Sequence, residues 1–235
     1  TTAGRGALAG DDHRVRRALG SLRNLDVNRD LVQDRLEKTP SPMLRGAWEA
    51  LQHHLQGNRG ALLADARAEV AEYDLVSFIE RAQKLIAGAD RDADPAAKLG
   101  KAVIASLTDW DEAHRLARET SNIENLHALR IATKRLRYRA ELAADVGAAS
   151  LEALVKDLKE LQSALGDWHD RSVLLQTVAE FIPEFRGRHP QMAAALVAQI
   201  EEETKGNDDA VKDILNRIPK LRKRWDERQD KQREN

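Results

Sequence analysis

The sequence predicts an all-α protein, and three observations lead there. Aromatic residues are only 4% of the 235, Ala and Leu are plentiful, and the β-branched runs that mark strands are missing. Apolar residues recur at three- and four-residue spacing in several segments, which is the period of a helix with one buried face. These segments are separated by short stretches of Pro, Gly and Asp that stop helices.

Taken in order, a first helix follows a capping candidate at Asp11 and Asp12 and runs to about Lys38, where Thr39, Pro40, Ser41 and Pro42 end it. A second starts at that Ser-Pro pair and places Leu44, Trp48, Leu51 and Leu55 on one face, with a break expected at Gly57–Asn58 or Gly60 before it continues to about Ala71. A third covers Leu75 to Ala87. The charged, apolar-poor stretch from Gly88 to Pro95 is the best linker candidate. A fourth helix runs from Ala96 to about Glu119, a fifth carries His127 and ends near Val146, and a sixth runs from Leu151 to about Ile182. Pro183 and the turn from Gly187 to Pro190 are expected to separate it from helices near 191–204 and 207–235.

A chain of this length can bury a sizeable core as one domain or as two small ones. Without cysteine it has neither disulfides nor thiolate metal sites, which fits a reducing, cytoplasmic setting. No apolar run approaches the roughly 20 residues of a membrane span, and the N-terminus has no signal-peptide pattern, so no membrane association is expected.

The helix around His127 is the most informative. At 3.6 residues per turn, His127, Arg130, Lys134, Arg137, Tyr138 and Glu141 fall within an arc about 100° wide. Leu129, Ala132, Leu136, Ala140 and Ala143 take the opposite arc, the face a core would claim. Nothing acidic stands between Glu124 and Glu141, although a solvated helix normally intersperses acids with its bases. Like charges stacked along one face cost local stability, and a polyanion lying on that face is the simplest reason to keep them. The whole chain has 38 Lys plus Arg against 39 Asp plus Glu, a net charge of -1. Positive charge is therefore segregated, which points to a defined anion site rather than general adhesion to nucleic acid.

The chain also repeats itself. The segment Leu19 to Val27 aligns with Leu165 to Val173, Gly20 on Gly166, at an offset of 146 residues. Basic residues stand upstream of both: Arg14, Arg16 and Arg17 in one, Lys156 and Lys159 in the other. The His127 helix precedes the second copy, and its counterpart before the first would fall ahead of Thr1. The first half is thus expected to lack its histidine helix, through loss of the element or because the sequence starts beyond it.

The run His127-x-x-Arg130-x-x-x-Lys134-Arg135-Leu136-Arg137-Tyr138-x-x-Glu141, followed by Leu161-Gln162-x-x-Leu165-Gly166-x-x-x-Asp170, resembles the second half of a CHAD domain, the conserved-histidine α-helical domain. Leu19-Gly20-x-x-Arg23-x-x-Asp26-Val27 resembles the end of that family's first half. The likeness extends from about His13 to Phe181 and is weakest through 40–115. It implies one domain over 1–235, with a first half to about residue 90 and a second from about 95, both helical bundles related by pseudo-symmetry. It also implies a central basic channel that binds inorganic polyphosphate, no catalysis, no cofactor, and a cytoplasmic location that can include polyphosphate granules.

The chemistry of the residues agrees with that expectation. Polyphosphate has charge but no base edges, so its binder needs cationic donors in register. Arg130 and Arg137 can present planar forks to phosphate oxygens and Lys134 a point charge. His127 donates from one ring nitrogen when neutral and from both when charged, and Tyr138 adds a phenolic donor. Lys156, Lys159, Arg16 and Arg17 complete the expected basic surface. Arg135 and Arg139 lie off the main arc, where a solvated or salt-bridged role competes with phosphate contact. Glu141 is expected to pair with Lys134 or Arg137, and the basic stretch from Arg217 to Trp225 reads first as a solvated helix end. Trp168-His169-Asp170 suggests a metal-dependent phosphohydrolase, but no other histidine has the spacing that such a site needs. The competing reading is an RNA- or DNA-binding helical protein using the same stripe. Sparse aromatics count against stacking on single strands, and no helix-turn-helix or zinc motif appears.

Overall fold

Seven helices and no strand make up the described residues of the computed structural model, which are 9–88, 94–147 and 151–233, with side chains described except at 9–12, 85 and 229–233. The helices are α1 Ala9–Lys38, α2 Pro42–Ala71, α3 Leu75–Ala87, α4 Pro95–Glu119, α5 Ile123–Asp145, α6 Glu152–Arg188 and α7 Pro190–Arg233. Residues 1–8 and most of the linker expected between Gly88 and Pro95 lie outside the described residues. The all-α class holds.

Four helix starts use side-chain caps that the sequence supplies. Ser41 Oγ accepts from Leu44 N at 3.3 Å, with Pro42 as the first helical residue. Asp74 accepts from Ser77 N at 2.9 Å, and the Ser77 hydroxyl together with that amide holds its carboxyl below the usual range. Asp94 accepts from Ala96 N, and Asn122 from Asn125 N. Each cap satisfies one of the amides that a helix start leaves without a partner. The Asp11–Asp12 pair does not cap α1, which begins at Ala9 and takes both residues into its first turn.

Three expected breaks are absent. Helix α2 continues through Gly57 and Gly60, because Leu51 and Leu55 before them and Ala66 after them are buried in one register. Helix α6 passes through Pro183, and α7 passes both the expected break near residue 206 and Pro219. Burial of apolar faces on both sides of each breaker outweighs its local cost, roughly 1 kcal/mol for Gly and 3 for Pro.

The chain forms two compact units. The first takes residues 1–91 and 173–202, hence α1 to α3, the end of α6 and the start of α7. Its core packs Trp48, Leu51, Val32, Leu174, Val178 and Leu196. Met192 packs closely on Gly46 there: a β-carbon would sit 3.0 Å from the Met192 methyl, which would have to move aside. The second takes 92–172 and 203–235, hence α4, α5, the start of α6 and the rest of α7. Its core packs Trp110, Leu129, Leu136, Leu158, Leu165 and Ile218.

Candidate anion-binding site

In the second unit α5 divides its faces as its periodicity predicts. Leu126, Leu129, Ala132, Thr133, Leu136, Ala140 and Ala143 are buried. Thr133 joins this face because its hydroxyl accepts the buried Trp110 indole N–H at 2.9 Å and donates to the Leu129 carbonyl. With that face fixed in the core, His127, Lys134 and Tyr138 are exposed and Arg130 is half-buried.

The cations of α5 fall into two groups. Arg137 is held from two sides, donating through Nε to Gln162 Oε1 at 2.7 Å and through a terminal nitrogen to Glu141 at 2.8 Å, with only 14% of its side chain exposed. Its guanidinium also lies 4.2 Å from the Tyr138 ring centroid. Glu141 pairs with Lys159 of α6 as well, at 3.3 Å. Arg135 is 3.8 Å from Asp109, and Arg139 donates to the Ala102 carbonyl and Ser106 hydroxyl of α4. These groups fix α5 against α4 and α6.

The other group is His127, Arg130 and Lys134, none of which has a carboxylate partner among the described residues. Arg130 Nε is buried without a hydrogen-bond partner. Lys134 lies 5.7 Å from the Tyr138 ring centroid, one helical turn before it, so that one ring has two cations near it. Lys156 is exposed on α6, one turn before Lys159. Arg16 and Arg17 are exposed on α1, in the first unit.

Sequence reasoning did not connect His169 with this face. Its ring centroid is 5.7 Å from that of His127 and 6.2 Å from that of Trp168. The two histidines are 42 positions apart, and only the packing of α6 on α5 joins them. Among the described residues no three of His, Cys, Asp and Glu could hold a metal ion together. The basic stretch near the C-terminus belongs to the framework: Arg217 pairs with Glu160, Arg222 with Asp111 and Arg224 with Asp157, while Trp225 is buried and donates to Asp157 at 2.8 Å. No helix among the described residues is long and apolar enough to cross a membrane.

A family model described as the CHAD domain matches residues 7–179, most of the chain. No curated protein and no solved structure matches it.

Proposed function

This chain belongs to the CHAD domain family, and from that premise we propose that it binds inorganic polyphosphate on the basic face of α5 and performs no reaction itself. The observation that carries this reading is the unequal use of carboxylates around α5. Glu141 is taken up by Arg137 and Lys159 and Asp109 lies 3.8 Å from Arg135, while His127, Arg130 and Lys134 are left without an acidic partner among the described residues. A cationic lane bordered by its own neutralised neighbours suits a linear anion with many equivalent oxygens. Arg130 offers a guanidinium fork, Lys134 a point charge and His127 a ring donor. Lys156 extends the lane onto α6, with the Glu141-paired Lys159 at its edge.

The corresponding biological role is targeting or scaffolding on polyphosphate in the cytoplasm, including on polyphosphate granules. Titration with long-chain polyphosphate, and with RNA of equal charge, at several salt concentrations tests this reading. Polyphosphate should bind more tightly than RNA at every salt, and log K should fall linearly with log salt as condensed counterions are released. Equal or tighter binding of RNA would make the chain a nucleic-acid binder. Turnover of polyphosphate by the purified chain would make it an enzyme.

A further inference from the structure

The basic face of α5 uses none of the first unit's histidines, yet three of them share one cleft. His53 and His54 on α2 and His189 between α6 and α7 line a cavity of about 290 Å³. All three are exposed, so none is a core residue with a polar tip. Its floor is aromatic, with Phe181 and Phe185 stacked at 4.9 Å and 24°. His54 lies 5.2 Å from Phe181 and His189 5.1 Å from Phe185. Four rings thus form an unbroken ladder in a chain with only 4% Phe, Trp and Tyr.

The polar groups are placed at the ends of this ladder. The Asn58 amide nitrogen is 3.2 Å from His54 Nε2 and can only donate, so Nε2 accepts and Nδ1 is left as the ring's donor. Arg188 lines the cleft and pairs with Glu184 one helical turn away at 2.9 Å, both side chains being largely exposed. Such a pair exchanges partners at little cost, and a phosphate can take the guanidinium fork with two parallel hydrogen bonds.

These features exclude simpler occupants. A metal ion would need three converging ligands, which the described residues do not provide. A bare phosphate or a polyphosphate chain would leave the stacked rings unused. A planar heteroaromatic ring carrying one anionic group uses every part of the cleft. We propose that it binds a purine nucleotide of monophosphate size. The base lies against the Phe181–Phe185 pair, His54 and His189 bracket its edge, and Arg188 holds the phosphate. His54 offers its Nδ1 donor to that edge and His189 a ring nitrogen, which suits the polar edge of a base.

Calorimetric titration of the full chain with AMP, adenosine and ribose 5-phosphate tests this. AMP should bind at one site, adenosine about tenfold more weakly, as expected for loss of one charge-assisted contact, and ribose 5-phosphate not measurably. His54→Ala and His189→Ala, at exposed positions, should each weaken AMP by about tenfold without moving the melting temperature. Phe181→Leu keeps an apolar side chain but removes the ring, and should also weaken it. Arg188→Ala should reduce AMP to the level of adenosine. An Arg130→Ala/Lys134→Ala chain should bind AMP like the parent, which separates this site from the polyphosphate face. Absence of AMP binding at millimolar concentration overturns the proposal, as does equal binding of ribose 5-phosphate. AMP binding that survives the histidine changes but is lost with Arg130 and Lys134 overturns it too.

Discussion

Leu165 and Leu19 occupy equivalent places in two copies of one motif and meet opposite environments. Leu165 is fully buried in the second unit's core, whereas Leu19 is 46% exposed in the first. Seven positions further along, Asp26 is held by Arg59 at 2.8 and 3.2 Å, with its carboxyl below the usual range because of that bond, while its counterpart Ser172 accepts the Asn207 amide at 2.9 Å. The upstream bases differ as well: Arg14 is tied to Glu69 and Glu72, but Lys156 has no acidic partner among the described residues. A repeat in sequence marks equivalent positions without assigning them equivalent work. The packed helices decide which copy builds core and which leaves charge available.

The largest effect should separate the two leucines. Leu165→Ala removes a fully buried side chain and leaves a cavity, at a cost of about 2–5 kcal/mol. Leu19→Ala should stay within about 0.5 kcal/mol, as substitutions at exposed positions do. Urea unfolding followed by circular dichroism measures both. Similar costs would mean that Leu19 is covered in solution and that the two copies are more alike than their exposures indicate.

The next contrast lies within α5. Arg130→Ala and Lys134→Ala should each weaken polyphosphate binding by about 1–3 kcal/mol, the range for charge-assisted hydrogen bonds, and flatten the salt dependence while leaving the melting temperature near that of the parent. Arg137→Ala should also lower the melting temperature, because it strips Gln162 and Glu141 of their shared partner. Arg14→Ala, at a cation already paired, should change binding least. If Arg137→Ala behaves like Arg130→Ala in both measurements, the division of α5 into framework and available cations is wrong.

That division shows where the sequence stopped being informative. The core face of α5, the ends of α3 and the cap at Ser41 follow from local spacing and residue chemistry, and the structure has them. Arg130 and Arg137 cannot be told apart from spacing, since both lie on the same arc. Gln162, which holds Arg137, is 25 positions away on another helix. The approach of His169 to His127 and of His54 to Phe181 is invisible for the same reason. The breaks expected at Pro183 and near residue 206 failed because breaker residues report local cost alone, whereas helix continuity is decided by what both flanks bury.

The two mid-helix prolines give the finest comparison. Pro183 and Pro219 each lack the N–H that would bond the carbonyl four residues earlier. In the first unit that carbonyl belongs to Ala179, an exposed residue that water can serve. In the second it belongs to Leu215, which is buried, and His114 Nε2 lies 3.3 Å from it. A carbonyl can only accept, so His114 donates there and replaces the missing helix bond. Burial pushes the His114 pKa below its ordinary value, chiefly through desolvation, with Arg118 acting in the same direction and Asp111 and the Leu215 bond against it. The unfolded chain therefore binds this proton more readily than the folded one. Stability from this site is fully present above the ordinary imidazole value of about 6.5 and is lost as pH falls from there towards the lowered folded value. His114→Gln keeps an N–H donor but does not titrate. The melting temperature of the parent should fall relative to this variant between pH 7.5 and 5, with every other histidine common to both chains. Parallel curves would show that His114 is not linked to folding in this window, and Pro219 would then be tolerated in the way Pro183 is, by solvent.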